Sequence, residues 1–348
     1  MRMRMPRSSV LSFLAVSAFV LAASVTADNY DKGGQQQQNK EACDDQYDRA
    51  YHKPAAGLVS EYYGKSCPDM ERIVQAAVNR AIANDYTVAA GLIRLFFHDF
   101  AVRGCDGSIL IDAPGSERHA AASKTLRGFE LIEEIKAKLN ARCNNTVSCA
   151  DILTAATRDA SMKVGVPYWS LKYGRKDGRD SHAEEADAQV PMGRERVTDL
   201  VQFFETRGLN VLDLVILSGA HTIGKASCGA VKRRVLTSKP ETLDRKYGDF
   251  LLRKCHRGDD AERVELDGES PTTFDNRYYQ NLERRMGLLE TDQGMLEDSR
   301  TTRFVKEMAR EPEVFKRQFA HSMRQLGEVN VLTGDEGEVR YKCSAVNY

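Results

Sequence analysis

The sequence lacks a net charge: its 50 lysines and arginines offset 50 aspartates and glutamates. Without an excess of either sign there is no long-range field to gather nucleic acid or an anionic membrane surface, so charge names no macromolecular partner. Long apolar runs are also missing. The stretch from Val10 to Ala23 contains Ser12 and Ser17 and falls short of the roughly 20 apolar residues a spanning helix needs, and nothing later is longer. Alternating apolar and polar residues, the mark of half-buried strands, are scarce, and no internal repeat is evident. A mainly α class is the expectation.

What is present points to export. Arg2, Arg4 and Arg7 precede the apolar stretch, and Val25-Thr26-Ala27 offers small residues for cleavage, so residues 1–27 read as a signal peptide. An oxidising destination lets the eight cysteines pair, although on the order of a hundred pairings are open to them. Residues 28–57 are polar, with a glutamine run from Gln35 to Gln38, and read as a mobile arm interrupted by Cys43. From Leu58 the chain turns helical. Apolar residues recur at three and four spacings over Met70 to Ile82, Thr87 to Val102, Phe129 to Leu139, Asp151 to Met162, Val197 to Phe204, Leu212 to Leu217, Asp275 to Met286 and Phe315 to Gly327. With 42% hydrophobic residues the chain buries a core of about two domains or one large one.

Three segments carry chemistry. In Ala89 to Asp99, Arg94 and His98 stand four apart and share a helix face among apolar neighbours. A fixed cation beside an imidazole suits cleavage of an oxygen–oxygen bond, the imidazole moving a proton and the cation holding the developing negative charge; an ordinary helix face has the same spacing. Asp99 to Ser108 gathers two carboxylates, a hydroxyl and glycines, which suits calcium or a plain Asp-Gly turn. His221 lies among small residues after the apolar run Leu212 to Leu217, as a haem ligand requires and as a hydrogen-bonded core histidine also allows.

Together, R-x-x-x-H-D and G-C-D-G-S within Leu92 to Ser108, and LSGAHTIG over Leu217 to Gly224, resemble the secretory plant haem peroxidases, the class III peroxidase family. Tyr63 to Pro68, Arg127-Gly128-Phe129, Val147 to Leu153, Gly174 to Asp177 and Pro271 to Asn276 extend the resemblance over the chain after about Leu58. It implies two helical domains enclosing haem b, a distal half of about residues 58–190 and a proximal half of about 191–348. The implied activity is reduction of hydrogen peroxide to water with one-electron oxidation of small phenolic donors.

By similarity, His221 would bind the haem iron and Asp292 would accept the proton-bearing side of its ring. His98 would be the acid and base, Arg94 the charge stabiliser, Phe97 a restriction on access, and Pro191 part of the aromatic-donor site. Two calcium ions are implied. Asp99, Val102, Gly104, Asp106 and Ser108 match the distal site, with Glu117 steadying it through water, and Thr222, Asp267, Ser270, Thr273 and Asp275 match the proximal one. Ser270 replaces the family's usual threonine and keeps the hydroxyl. The implied disulfides are Cys67 with Cys143, Cys149 with Cys343, and Cys228 with Cys255.

The chain departs from the family at several points. Phe100 occupies the place of the usual partner of Cys105, so the expectation is that Cys105 pairs with Cys43; free thiols, or a link to another molecule, are the alternative. Ala121-Ala122-Ser123-Lys124 lacks the asparagine that normally accepts a hydrogen bond from the distal histidine, which predicts slower reaction with peroxide. Ala230 stands where some relatives place an aromatic ring. Asn144-Asn145-Thr146 is a glycosylation sequon. The overall expectation is a monomeric enzyme of the cell wall or extracellular fluid, with no nucleic-acid or membrane partner. The rivals are a haem-binding wall protein with feeble catalysis and a metal-dependent hydrolase, for which no activated nucleophile is visible.

Overall fold

The computed structural model describes residues 55–237, 239–256 and 262–347. The signal segment 1–27, most of the arm and Cys43 lie outside them. Pro54–Tyr348 forms one compact unit.

Among the described residues the unit is built from thirteen α-helices: α1 Met70–Asn84, α2 Val88–Val102, α3 Phe129–Cys143, α4 Cys149–Lys163, α5 Ala183–Gln189, α6 Val197–Glu205, α7 Val211–Ser218, α8 Cys228–Thr237, α9 Arg245–His256, α10 Arg277–Glu283, α11 Glu290–Glu297, α12 Thr302–Arg310 and α13 Pro312–Leu326. One two-stranded antiparallel sheet, β1 Lys225–Ser227 with β2 Arg263–Glu265, adds to them. The mainly helical class read from the sequence is what the chain adopts.

At the centre stands α4, buried from Cys149 to Ser161 and packed against α1, α2 and α3. Its buried charges are paired, Asp151 with Arg175 at 2.9 Å and Arg158 with Asp159 at 2.9 Å, which lets a helix that is not apolar all round lie inside the core. Its start is fixed by Ser148, whose side chain accepts from the Asp151 amide at 3.2 Å. Against it α2 buries Leu92, Leu95, Phe96 and Phe100. α1 shows the simpler amphipathic design, burying Met70, Val74, Ala77, Val78 and Ile82 at three and four spacings. The main core draws residues from both sides of position 190, while a small second cluster surrounds Cys228, Val231, Leu251 and Cys255.

Disulfides join Cys67 to Cys143, Cys149 to Cys343 and Cys228 to Cys255. Among the described residues Cys105 has no disulfide partner; it is fully buried, and its Sγ donates to the Leu326 carbonyl at 3.2 Å. As placed, Cys105 meets main chain rather than a second sulfur, and the partner expected for it, Cys43, is outside the described residues. Phe100 sits one turn before it in a cluster of aromatic rings, with ring centroids 5.8 Å from Phe97, 6.0 Å from Phe203 and 6.3 Å from Phe204. Packing of these rings holds the C-terminal end of α2.

Phe100→Ala is therefore expected to cost about 3–5 kcal/mol of stability by opening a cavity in that cluster. Urea unfolding of the two proteins checks it; a loss below about 1 kcal/mol would show that the cluster does not hold α2.

Candidate active site

The apolar run of α2 leaves only one of its last nine residues openly accessible, and that residue is Arg94. Its guanidinium donates to Thr125 Oγ1 at 2.7 Å and to the Ala122 carbonyl at 3.2 Å. Both acceptors are neutral, so the positive charge stays uncompensated. The side chain is reached by solvent yet ringed by protein, as expected of a group lining a concavity, and its pKa is drawn down to about 10 by desolvation and then by Arg263. It remains a cation at neutral pH.

One turn further, His98 is only 3% exposed. Burial, and then the Arg94 charge, push its pKa down to about 3, so the ring is neutral at physiological pH and free to take a proton. Its Nδ1 is buried and meets no hydrogen-bond partner. The segment read as lacking an asparagine, Ala121–Ser123, forms a short 3-10 turn, and Ser123 Oγ is likewise buried without a partner. Phe97 stands beside His98, ring centroids 6.3 Å apart.

His221 lies in the 3-10 turn Gly219–Thr222 that continues α7. Its Nδ1 is 2.8 Å from Asp292 Oδ1, and the carboxylate is 3% exposed while the imidazole is 37% exposed. Tyr278 Oη donates to the same oxygen at 3.3 Å, and the Leu289 amide donates to Asp292 Oδ2 at 2.9 Å, at the start of α11. A carboxylate can only accept, so Nδ1 carries the proton and Nε2 holds the lone pair on the accessible side of the ring. Beyond His221, Gly224 runs so close to α2 that a Cβ built on it would lie 3.2 Å from Ala90 Cβ, one turn before Arg94. The segment bearing His221 thus reaches the helix bearing Arg94 and His98.

The loop after α2 concentrates negative charge. Asp99, Asp106 and Glu117 are 1%, 5% and 0% exposed. Burial raises the pKa of Asp99, with Asp106 and Glu117 adding to the rise, and burial pushes Glu117 up to about 7. Asp99 Oδ2 accepts from the Gly107 amide at 3.0 Å and Asp106 Oδ1 from the Ser108 amide at 3.0 Å. Ser108 Oγ and Glu117 Oε2 are buried without a hydrogen-bond partner. Val102 ends α2, so its carbonyl has no partner within the helix. Gly104 has φ of +109°, and a Cβ there would meet Asn330 Cβ at 2.5 Å, so only glycine fits.

Of the residues expected at the second calcium site, four are brought together in two pairs. Thr222 Oγ1 donates to Asp275 Oδ1 at 3.2 Å, and Ser270 Oγ donates to Asp267 Oδ2 at 2.9 Å. Thr273 is exposed, and its amide reaches the Ser270 carbonyl at 3.0 Å. Among the described residues no three His, Cys, Asp or Glu side chains form a metal-ligand group by themselves; both sets mix two carboxylates with hydroxyl and main-chain oxygens. Pro191 is half-buried between α5 and α6, Ala230 lies on α8, and Asn144 is exposed at the end of α3.

Sequence reasoning missed Tyr278, Thr125 and Arg263. Tyr278 lies two residues beyond the Pro271 to Asn276 segment, but nothing in its own identity marks it as a partner of Asp292. Arg263 sits in a strand three residues long, below the length at which alternation becomes a signal.

Comparison with known proteins gives one consistent result. Residues 74–311 match the family described as Peroxidase. The chain is 44% identical to Peroxidase 7 of Arabidopsis thaliana over 348 residues, 97% of this chain and 98% of the relative. It is 39% identical to Peroxidase 15 over 88% of this chain and 93% of the relative, and 42% identical to Peroxidase 39 over 84% and 93%, both from the same plant.

Proposed function

From its membership of the peroxidase family, which makes the chain a haem-dependent oxidoreductase acting on peroxide, we propose that it is a secreted enzyme that reduces hydrogen peroxide and oxidises small phenolic molecules. The observation that carries this reading is the pairing of a neutral, desolvated His98 with an uncompensated Arg94 on one helix, while the segment holding the Asp292-bound His221 closes against that helix.

The residues fit a haem. His221 would hold the haem iron through Nε2, and its hydrogen bond to buried Asp292 orients the ring and would strengthen it as a donor. The haem supplies the redox-active iron and the conjugated ring through which electrons return. His98 accepts a proton from the incoming peroxide and returns it to the departing oxygen, which leaves as water. Arg94 offsets the negative charge that gathers on that oxygen. Phe97 narrows access beside His98, and Pro191 contributes to the aromatic-donor site. Over one cycle, a peroxide and two phenols give two waters and two phenoxyl radicals.

The orphaned Nδ1 of His98 bears on the rate. A ring whose Nδ1–H finds no acceptor is a weaker base than one held by an amide or carboxylate. Reaction with peroxide is accordingly expected to be slower than in relatives that provide an acceptor.

Two calcium ions complete the reading. Asp99, Asp106 and Ser108, with the Val102 and Gly104 carbonyls, hold the distal ion and Glu117 supports it; Thr222, Asp267, Ser270, Thr273 and Asp275 hold the proximal one. Buried carboxylates that repel one another, beside an orphaned Ser108 hydroxyl, are what a divalent cation would relieve. Export follows from the basic and apolar residues 1–27 and fits the three disulfides. No helix among the described residues is long and apolar enough to cross a membrane. The enzyme acts as a monomer in the wall or extracellular fluid.

Purified protein is expected to show a Soret band and turnover of peroxide with guaiacol, and absence of the band would defeat the reading. His98→Leu should retain the haem spectrum and lower the peroxide rate by about 10²–10⁴-fold in stopped-flow measurements. Prolonged chelation should lower the melting temperature, with calcium restoring it and magnesium failing to; equal melting with and without chelator would remove the calcium sites from the account.

A further inference from the structure

The β1–β2 pair carries a cation that nothing so far has used. Val264 and its cross-strand partner Ala226 turn into the small core around the Cys228–Cys255 bridge. By alternation, Arg263 and Glu265, with their partners Ser227 and Lys225, occupy the opposite face. At the foot of the pair, Gly224 touches Ala90, and Lys225, Glu265, Tyr86 and Ala90 line one cleft. Arg263 thus shares the face of the strand pair that carries Lys225 and Glu265, on a segment that touches α2 at Ala90, and its charge is felt at Arg94.

The two ends of this face differ. Lys225 is neutralised by Glu265 at 2.8 Å, whereas Arg263 is exposed and forms no ion pair or hydrogen bond with a described residue. Arg94 meets only a hydroxyl and a carbonyl. Two guanidiniums close enough to feel one another's charge are unfavourable neighbours, and the arrangement becomes favourable once a carboxylate arrives.

We propose that Arg263 is a carboxylate-binding residue at the open edge of the pocket, and that the carboxylate it binds belongs to the haem. The assignment rests on the haem reading above. Haem b carries two propionates on one edge, and a permanently bound group can offset a permanent repulsion, which a transient donor cannot. The Arg263 guanidinium donates to one propionate in a charge-assisted hydrogen bond, so the strand pair, although only three residues deep, contributes to holding the prosthetic group.

The test titrates haemin into apo-protein of wild type, Arg263→Gln and Arg263→Lys, read by the Soret band and by quenching of the single tryptophan, Trp169. Arg263→Gln should raise the haemin Kd by about tenfold or more, the loss of one charge-assisted bond, and Arg263→Lys should recover much of it. Melting of the apo-proteins should coincide, separating this role from a structural one. A second arm compares KM for a phenol bearing a carboxylate with KM for an uncharged phenol. If the haemin Kd is unchanged and only the carboxylate-bearing phenol binds more weakly, the haem assignment is overturned and the carboxylate is the donor's. No change in either arm overturns the site altogether. Wild type that fails to bind haemin would remove the haem reading itself, a result distinguishable from wild type and variant binding it equally.

Discussion

Burial of α2 on every side but one is the constraint from which the chemistry of this centre follows. Leu92, Leu95, Phe96 and Phe100 pack into the core, so the helix cannot turn or slide without exposing them. The remaining direction belongs to Arg94 and His98, and the same desolvation that anchors the helix keeps the imidazole neutral beside a permanent cation. In water such a pair would be unremarkable. Held in an apolar wall, the histidine is ready to receive a proton and the arginine is ready to meet negative charge with no reorganisation of solvent.

The segment bearing His221 is organised by a buried carboxylate. Asp292 is held by a main-chain amide and by Tyr278, which leaves it one direction in which to receive the His221 ring. Helix, 3-10 turn and strand pair follow one another from α7 to β1, and the contact of Gly224 with Ala90 brings that series against α2. Arg263, which pairs with no described residue, belongs to that strand pair, and its charge is felt at Arg94.

Long-range fasteners keep the loop beyond α2 in place. Arg340, fully buried near the C-terminus, donates to the Cys343 carbonyl at 2.8 Å and to the Gly107 carbonyl, while its amide donates to Asp177 Oδ2 at 2.9 Å. Cys343 is bridged to Cys149 at the start of α4. The crowded carboxylates of Asp99, Asp106 and Glu117 are thus confined by the central helix and the tail together, and cannot relieve their repulsion by moving into solvent.

Much of this was legible in the chain alone, because a helix with one buried stripe writes a three and four spacing into the sequence. Every segment read that way contains a helix, although Asp275 to Met286 is helical only over Arg277–Glu283. The helices α5, α8, α9, α11 and α12 went unread: they are short or richly charged, and their burial depends on neighbours far away in sequence. The four-residue spacing of Arg94 and His98 also sufficed to set both on one face, since that follows from helix geometry. Contacts between distant segments decided the rest. An orphaned Nδ1, a thiol capped by the Leu326 carbonyl and an arginine whose charge is felt by another 169 positions away are properties of juxtaposition, and local sequence carries no record of which surfaces the core brings together.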